Sequence, residues 1–169
     1  MKKPFYKTWW FIVIVVCVLA SSIISFVDDK TGQADESTVE GKVTNFINKE
    51  FGKETNSKKE RIVSVGYVDG TFEVLLNVDD NLSVNLMKTN MLSYATDIFE
   101  EVQKHEDIDT DVKVAFMAEV SDGYGNVKDT KILSIKLSQK TLDKIDFENF
   151  LYPNLETVAD VYNEHTALK

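Results

Sequence analysis

RIVSVGYVDGTFEVLLN, residues 61–77, decides the fold class. Asp69-Gly70 stands between two runs in which apolar and polar side chains alternate, the strongest short-range signature of a β-hairpin. A two-residue turn there pairs Val68 with Thr71, Tyr67 with Phe72, Val65 with Val74 and Val63 with Leu76. The last three pairs are apolar and share one face. The register set by the turn therefore agrees with the register set by burial, and the chain must contain antiparallel sheet with a face to cover.

Working outward from this hairpin, residues 82–104 repeat apolar side chains at helical spacing: Leu86, Met87, Met91, Tyr94, Ala95, Ile98, Phe99 and Val102. That is a long amphipathic helix. A second hairpin follows, with Val112, Val114, Phe116, Ala118 and Val120 going out, DGYGN (122–126) as the turn, and Leu133, Ile135 and Leu137 on the return. Ser138 then caps a short helix through Leu142 and Ile145, and Asn154, after Pro153, caps a last helix bearing Leu155, Val158, Ala159 and Tyr162. On the N-terminal side, Ser37 and Glu40 make a capping box. Val39, Val43, Phe46, Ile47 and Phe51 share the face of the helix it opens, and Gly52 suits its stop. The order α-ββ-α-ββ-α predicts an α+β domain over residues 37–169, with a four-stranded antiparallel sheet packed on the long helix.

The first 27 residues are of another kind. Lys2, Lys3 and Lys7 precede an almost wholly apolar run, Trp9 to Val27, and Asp28-Asp29 close it. Nineteen helical residues at about 1.5 Å each span roughly the 30 Å hydrocarbon core of a bilayer. Phe5, Tyr6, Trp9 and Trp10 suit the cytoplasmic interface, and the lysines put the N-terminus inside. Residues 9–27 thus read as a single-pass membrane anchor with an extracytoplasmic C-terminal domain. The alternative is a signal peptide cleaved near Ala20-Ser21-Ser22, which leaves a secreted protein. DDKTGQADE, residues 28–36, reads as a flexible tether. The lone cysteine, Cys17, lies inside the apolar run, so the outer domain is held by packing without disulfides.

Charge narrows the partners. The chain of 169 residues carries −9 while its first 27 carry three lysines and no acid, which leaves −12 on residues 28–169. This charge strongly disfavours nucleic acid, whose affinity rests on neutralised phosphates, and no nucleic-acid partner is expected. Cationic or metal-bridged partners remain.

Few side chains suggest chemistry. Asp107, Asp109 and Asp111 have the spacing of the first three ligands of an EF-hand loop, but its sixth position is Val112 and its twelfth Ala118. They stay candidates for a calcium loop of another kind, against a solvated acidic connection; no other metal site and no cofactor is expected. His105 and His165 each end a predicted helix, where imidazolium favours the dipole, and two residues define no metal site. Asp79-Asp80 and Glu100-Glu101 are the carboxylate pairs a hydrolase could use. No nucleophile elbow, zinc-protease helix, P-loop or dinucleotide glycine pattern occurs, so no catalytic residue is assigned. Candidate contact groups for a partner are Tyr124, set between two glycines in the second turn, and Phe150 with Tyr152 in the apolar stretch before Pro153. The competing readings are an incidentally exposed ring at the tip, and rings that close the open end of the core.

The opening KKPFYKTWWF (2–11) and the ending DKIDFENF (143–150) with VADVYNEHTAL (158–168) resemble small membrane-anchored extracytoplasmic proteins of low-GC Gram-positive bacteria. The resemblance implies a location and a domain type, and carries over no activity and no catalytic residue. The expectation is a non-enzymatic binding or accessory module of the cell envelope that contacts another envelope protein. The rival expectation is an envelope hydrolase built on acidic residues, which requires a cleft with two convergent carboxylates and perturbed pKa values.

Overall fold

Asp69 (φ 48°) and Gly70 (φ 77°) both adopt the left-handed conformation that a type I′ turn needs, in a computed structural model that describes residues 34–81, 83–105 and 108–168. The turn joins β1 (Ile62–Val68) to β2 (Thr71–Asn77). Val68–Thr71, Tyr67–Phe72 and Val65–Val74 pair as the sequence predicts. Val63 does not: the register slips between Ile62 and Ser64, so Ile62 stands opposite Leu76 and Val63 is pushed outward, 48% exposed. The slip bends an edge strand, a common site for a bulge.

Before this hairpin comes α1 (Val39–Glu50), and after it α2 (Val84–Gln103). The α1 cap is Thr38, whose hydroxyl accepts the Gly41 N–H, one residue beyond the expected Ser37. Ala34 exchanges two hydrogen bonds with the Asn45 side chain, and Asp35 accepts the Ser37 N–H. The last residues of the expected tether are therefore fastened to α1. Gly41 permits this, because a Cβ there would collide with the Asp35 carbonyl. In α2 Met91, Ala95, Ile98, Phe99 and Val102 of the predicted stripe are buried, Met87 and Tyr94 are partly buried, and Leu86 at its start is 45% exposed.

The sheet differs from the expected one. Its order is β1-β2-β3-β4-β5, with β3 (Val112–Ser121), β4 (Val127–Leu137) and β5 (Val161–Glu164). Neighbours run antiparallel except β2 and β3, which are parallel, with Phe72 opposite Val112, Val74 opposite Val114 and Leu76 opposite Phe116. Five strands in a mixed sheet thus replace four in an antiparallel one. The reason is α2: its 20 residues, about 30 Å long, return the chain to the starting end of β2, so β3 must leave in the same direction. The fifth strand replaces most of the expected last helix. After α3 (Gln139–Leu142), α4 holds only Leu155–Val158; Ala159 turns extended, and Tyr162 pairs with Ile135 on β4.

One face of the sheet carries the core: Phe72, Val74, Leu76, Val112, Val114, Phe116, Leu133, Ile135 and Leu137 form one cluster with Val43 and Ile47 of α1, the α2 stripe, Leu142 and Leu155. The opposite face is polar, with Lys113 on Glu73 at 2.7 Å and Lys136 on Asp111 at 2.6 Å. Among the described residues no helix is long and apolar enough to cross a membrane. The anchor expected at 9–27 lies outside the described residues.

Candidate functional site

The long hairpin of β3 and β4 changes character along its length. Its base is core; beyond a register shift at Phe116–Met117 the outgoing strand touches the cluster only through the partly buried Ala118 and Val120, and residues 121–129 are exposed throughout. Tyr124 sits at its end, 94% exposed.

The tip is nevertheless ordered, because Asp122 braces it. Oδ1 of Asp122 accepts the N–H groups of Tyr124 and Asn126 at 2.9 Å each, and Oδ2 accepts the Asn126 side-chain amide at 3.0 Å. Backbone bonds from Asp122 to Asn126 and from Gly125 to Asp122 close the turn. Gly125, at φ 84°, holds a conformation that side-chain-bearing residues resist. The Asn126 amide, ahead of the backbone donors, holds the Asp122 carboxyl below the usual aspartate range, so the brace is ionised at neutral pH.

At the foot of the tip lies a cavity of about 550 Å³, among whose lining residues are Lys59, Asn77, Asp79, Asp80, Met117 and Glu119. Ser121 and Val127, the residues that flank the turn, also line it. It opens where β2 ends and α2 begins, at the carboxyl end of the parallel pair, where open sheets with crossover helices ordinarily bind ligands. Lys59 bridges Glu119 (2.8 Å) and Asp129 (2.6 Å). Behind the wall, the Arg61 side chain is 4% exposed and grips both Asp79 oxygens at 2.9 and 3.0 Å. Burial alone would push the Asp79 carboxyl up; hydrogen bonds from Arg61 and the Asn56 N–H, the guanidinium charge and the Tyr94 hydroxyl outweigh it and hold Asp79 below 3.8. Asn56 also pairs with the Asp80 backbone in both directions, at 2.6 and 2.8 Å. Of the predicted pair, Asp79 is thus a fixed anion of the scaffold and no proton donor.

The sequence reading missed Lys59 and Arg61. The signal available was KKER at 58–61, a basic run directly before the first strand, but the carboxylates that Lys59 and Arg61 hold are 18 to 70 residues away.

The other predicted residues scatter. Glu100 and Glu101 both reach Lys104, at 3.1 and 3.6 Å. Beside them is a hollow of about 400 Å³ lined by Phe46, Glu50, Phe51, Tyr94, Asp97, Glu100 and Lys104. Burial, then the charges of Glu100 and Glu50, push the Asp97 carboxyl up. The pattern of residues 82–104 did not mark Asp97 as more than a polar helix position.

Asp111 holds Lys136 and its carbonyl accepts the Phe72 N–H, Asp109 is exposed, and Asp107 lies outside the described residues. Among the described residues no three His, Cys, Asp or Glu side chains are placed to hold a metal ion. His105 follows α2 as expected, whereas His165 follows a strand, because the last helix is short; the two line different hollows. Phe150 packs partly buried against the core with Phe147 edge-on at 5.8 Å, and Tyr152 is 37% exposed.

No family model, no curated protein and no solved structure matches the chain.

Proposed function

We propose that the chain is a non-enzymatic binding module of the cell envelope, anchored through residues 9–27, whose β3–β4 tip and the cavity at its foot contact a partner protein. The carrying observation is Tyr124: a large amphipathic ring, 94% exposed, on a turn that Asp122 holds in one conformation. An exposed tyrosine on a rigid loop gives contact area with little loss of conformational freedom on binding. The groups around the cavity set the partner's charge. Lys59 and Arg61 face Asp79, Asp80, Glu119 and Asp129, so acid exceeds base and a basic segment fits.

Location rests on the sequence of residues 1–27: N-terminus in the cytoplasm, outer domain outside. Protease added to intact protoplasts should remove the outer domain and leave a short membrane-bound fragment. A mature N-terminus near Ser21 or Ile23 would replace the anchor by a cleaved signal. For the binding role, native capture from detergent-solubilised envelopes should recover a partner with the parent chain and lose it with Tyr124→Ala. Equal capture by both would remove the tip from the interface.

A second reading, an acid-based hydrolase, draws on the α1–α2 hollow, where Asp97 has a raised pKa beside Glu100 and Glu50 among three aromatic rings. Glycoside hydrolysis uses two carboxyl groups in one cleft, the one that serves as acid having its pKa raised. Asp97→Asn abolishing turnover of wall polysaccharide would support it, and absence of any turnover by the parent chain would discard it.

A further inference from the structure

The polar face of the sheet contains a second hollow, away from the tip. Ala115 on β3 and Asn163 on β5 stand either side of Ser134 on β4. Small side chains between longer ones leave a hollow of about 380 Å³, lined by Lys113, Lys131, Ser134, Asn163, Glu164 and His165 together with Leu133. We propose that this hollow binds the phosphate group of a small ligand.

Ser134 is the first argument. It is 7% exposed, and its side chain makes no hydrogen bond among the described residues. Its hydroxyl is accessible from the hollow, with its donor unused there. The second argument is the company it keeps. Nδ1 of His165 accepts the Ala167 N–H at 3.1 Å, so the neutral ring carries its proton on Nε2, a free donor. Lys131 is exposed and has no ion pair among the described residues. Lys113 uses one donor on Glu73, at 2.7 Å, and keeps two. Asn163 adds a side-chain amide.

The one acid in the lining is engaged elsewhere. Glu164 stands opposite Leu133, on the core face, where it meets Lys88 at 2.7 Å and accepts the Tyr162 hydroxyl at 3.2 Å. Residues that carry a hydroxyl, an imidazole, an amide and two ammonium groups therefore line one space. Point donors arriving from several directions match the oxygens of a tetrahedral phosphate; a flat carboxylate is better served by a guanidinium fork, which the hollow lacks. With −9 on the whole chain, long-range attraction does not assist, so recognition is short-range and modest.

The test is calorimetric titration of the full chain, in nonionic detergent at low salt, with inorganic phosphate and separately with glycerol phosphate. Saturable binding of either probe is expected; the tighter one tells free anion from phosphate ester. Ser134→Ala and Lys131→Gln should each weaken binding about tenfold, the scale of one hydrogen bond to a charged group. Melting temperatures without ligand should be unchanged, since alanine already occupies the neighbouring position 115 and Lys131 is exposed. Tyr124→Ala should bind as the parent does. Failure of both probes to saturate in the millimolar range, or undiminished binding by both folded variants, would overturn the proposal.

Discussion

The two hairpins use the same motif for opposite ends. In the first, the turn is built into the fold: the Thr110 hydroxyl donates to the Gly70 carbonyl, and the Phe72 N–H just beyond it donates to Asp111. Its inner strand is fully buried at Phe72, Val74 and Leu76, while its outer strand forms the sheet edge. In the second, the strands are central and the turn is remote. Val114, Phe116, Leu133 and Ile135 are fully buried at the base, yet the turn at residues 122–126 is hydrogen-bonded only within itself among the described residues. A turn that braces itself needs nothing from the core, so its side chains are free for contact.

The largest expected effect tests the base of the second hairpin. Phe116→Ala removes a ring with no solvent exposure from the centre of the sheet and should cost about 3–5 kcal/mol. Val127→Ala, a few residues past the tip and 57% exposed, should stay within about 0.5 kcal/mol. Urea unfolding of both variants checks this. Similar losses would mean that the distal half is part of the core after all.

Next comes the foot of the cavity. Arg61→Met leaves the Asp79 carboxylate without its main partner and should cost about 3 kcal/mol, as breaking a buried pair does. The pH dependence has a definite sign. The folded pKa of Asp79 lies below its unfolded value near 3.8, so this contribution is present above pH 3.8 and is lost as pH falls through the folded value. In Arg61→Met, burial acts with less opposition and raises that pKa, so the loss of stability on acidification should shrink. An unchanged acid limb of the stability curve would remove Asp79 from the scaffold.

Local pattern made the first turn, the core faces of β2, β3 and β4 and the long helix readable, because turn chemistry and periodicity are written within a few residues; on β1 the expected face is half exposed at Val63 and Tyr67. What it left unread is pairing at a distance. Nothing in TFEVLLN or VKVAFMA states that β2 and β3 are parallel; only the 20-residue helix between them, long enough for a crossover, carried that information. β5 was hidden for another reason: Leu155, Val158, Ala159 and Tyr162 are consistent with a helix, and the four-residue strand is chosen by its partner β4. Of the site, Tyr124 was legible from its two glycines, whereas the Arg61–Asp79 pair and the hollow at Ser134 exist only once the sheet is assembled.

The glycines of the two turns sharpen the comparison. Gly70 (φ 77°) and Gly125 (φ 84°) both have open space where a Cβ would sit, so valine at either position meets strain alone. Gly70→Val should cost about 1–3 kcal/mol, because its turn is tied to the core. Gly125→Val should cost about 0.5 kcal/mol, since an isolated tip can open locally without unfolding the sheet. Gly70→Asn should recover most of the first loss, as asparagine tolerates the left-handed region. Thermal melts of the three variants decide it; equal losses at the two turns would show the tip coupled to the core.

The smallest effect on stability should accompany the largest effect on binding. Tyr124→Ala removes a ring that is 94% exposed, so the melting temperature should stay where it is. Phe150→Ala, by contrast, strips a half-buried ring from its edge-on contact with Phe147, and Tyr152→Ala takes a less buried one from beside it, so both should melt earlier, Phe150→Ala more so. Capture of an envelope partner should run the other way. An interface aromatic on a preorganised loop is worth about 2 kcal/mol or more on truncation, roughly a thirtyfold loss of affinity. Circular dichroism gives the first ordering and native capture the second. If Phe150→Ala melts normally and loses capture while Tyr124→Ala retains it, the contact surface moves from the tip to the stretch before Pro153, and the self-braced turn is then only a well-made end to a long hairpin.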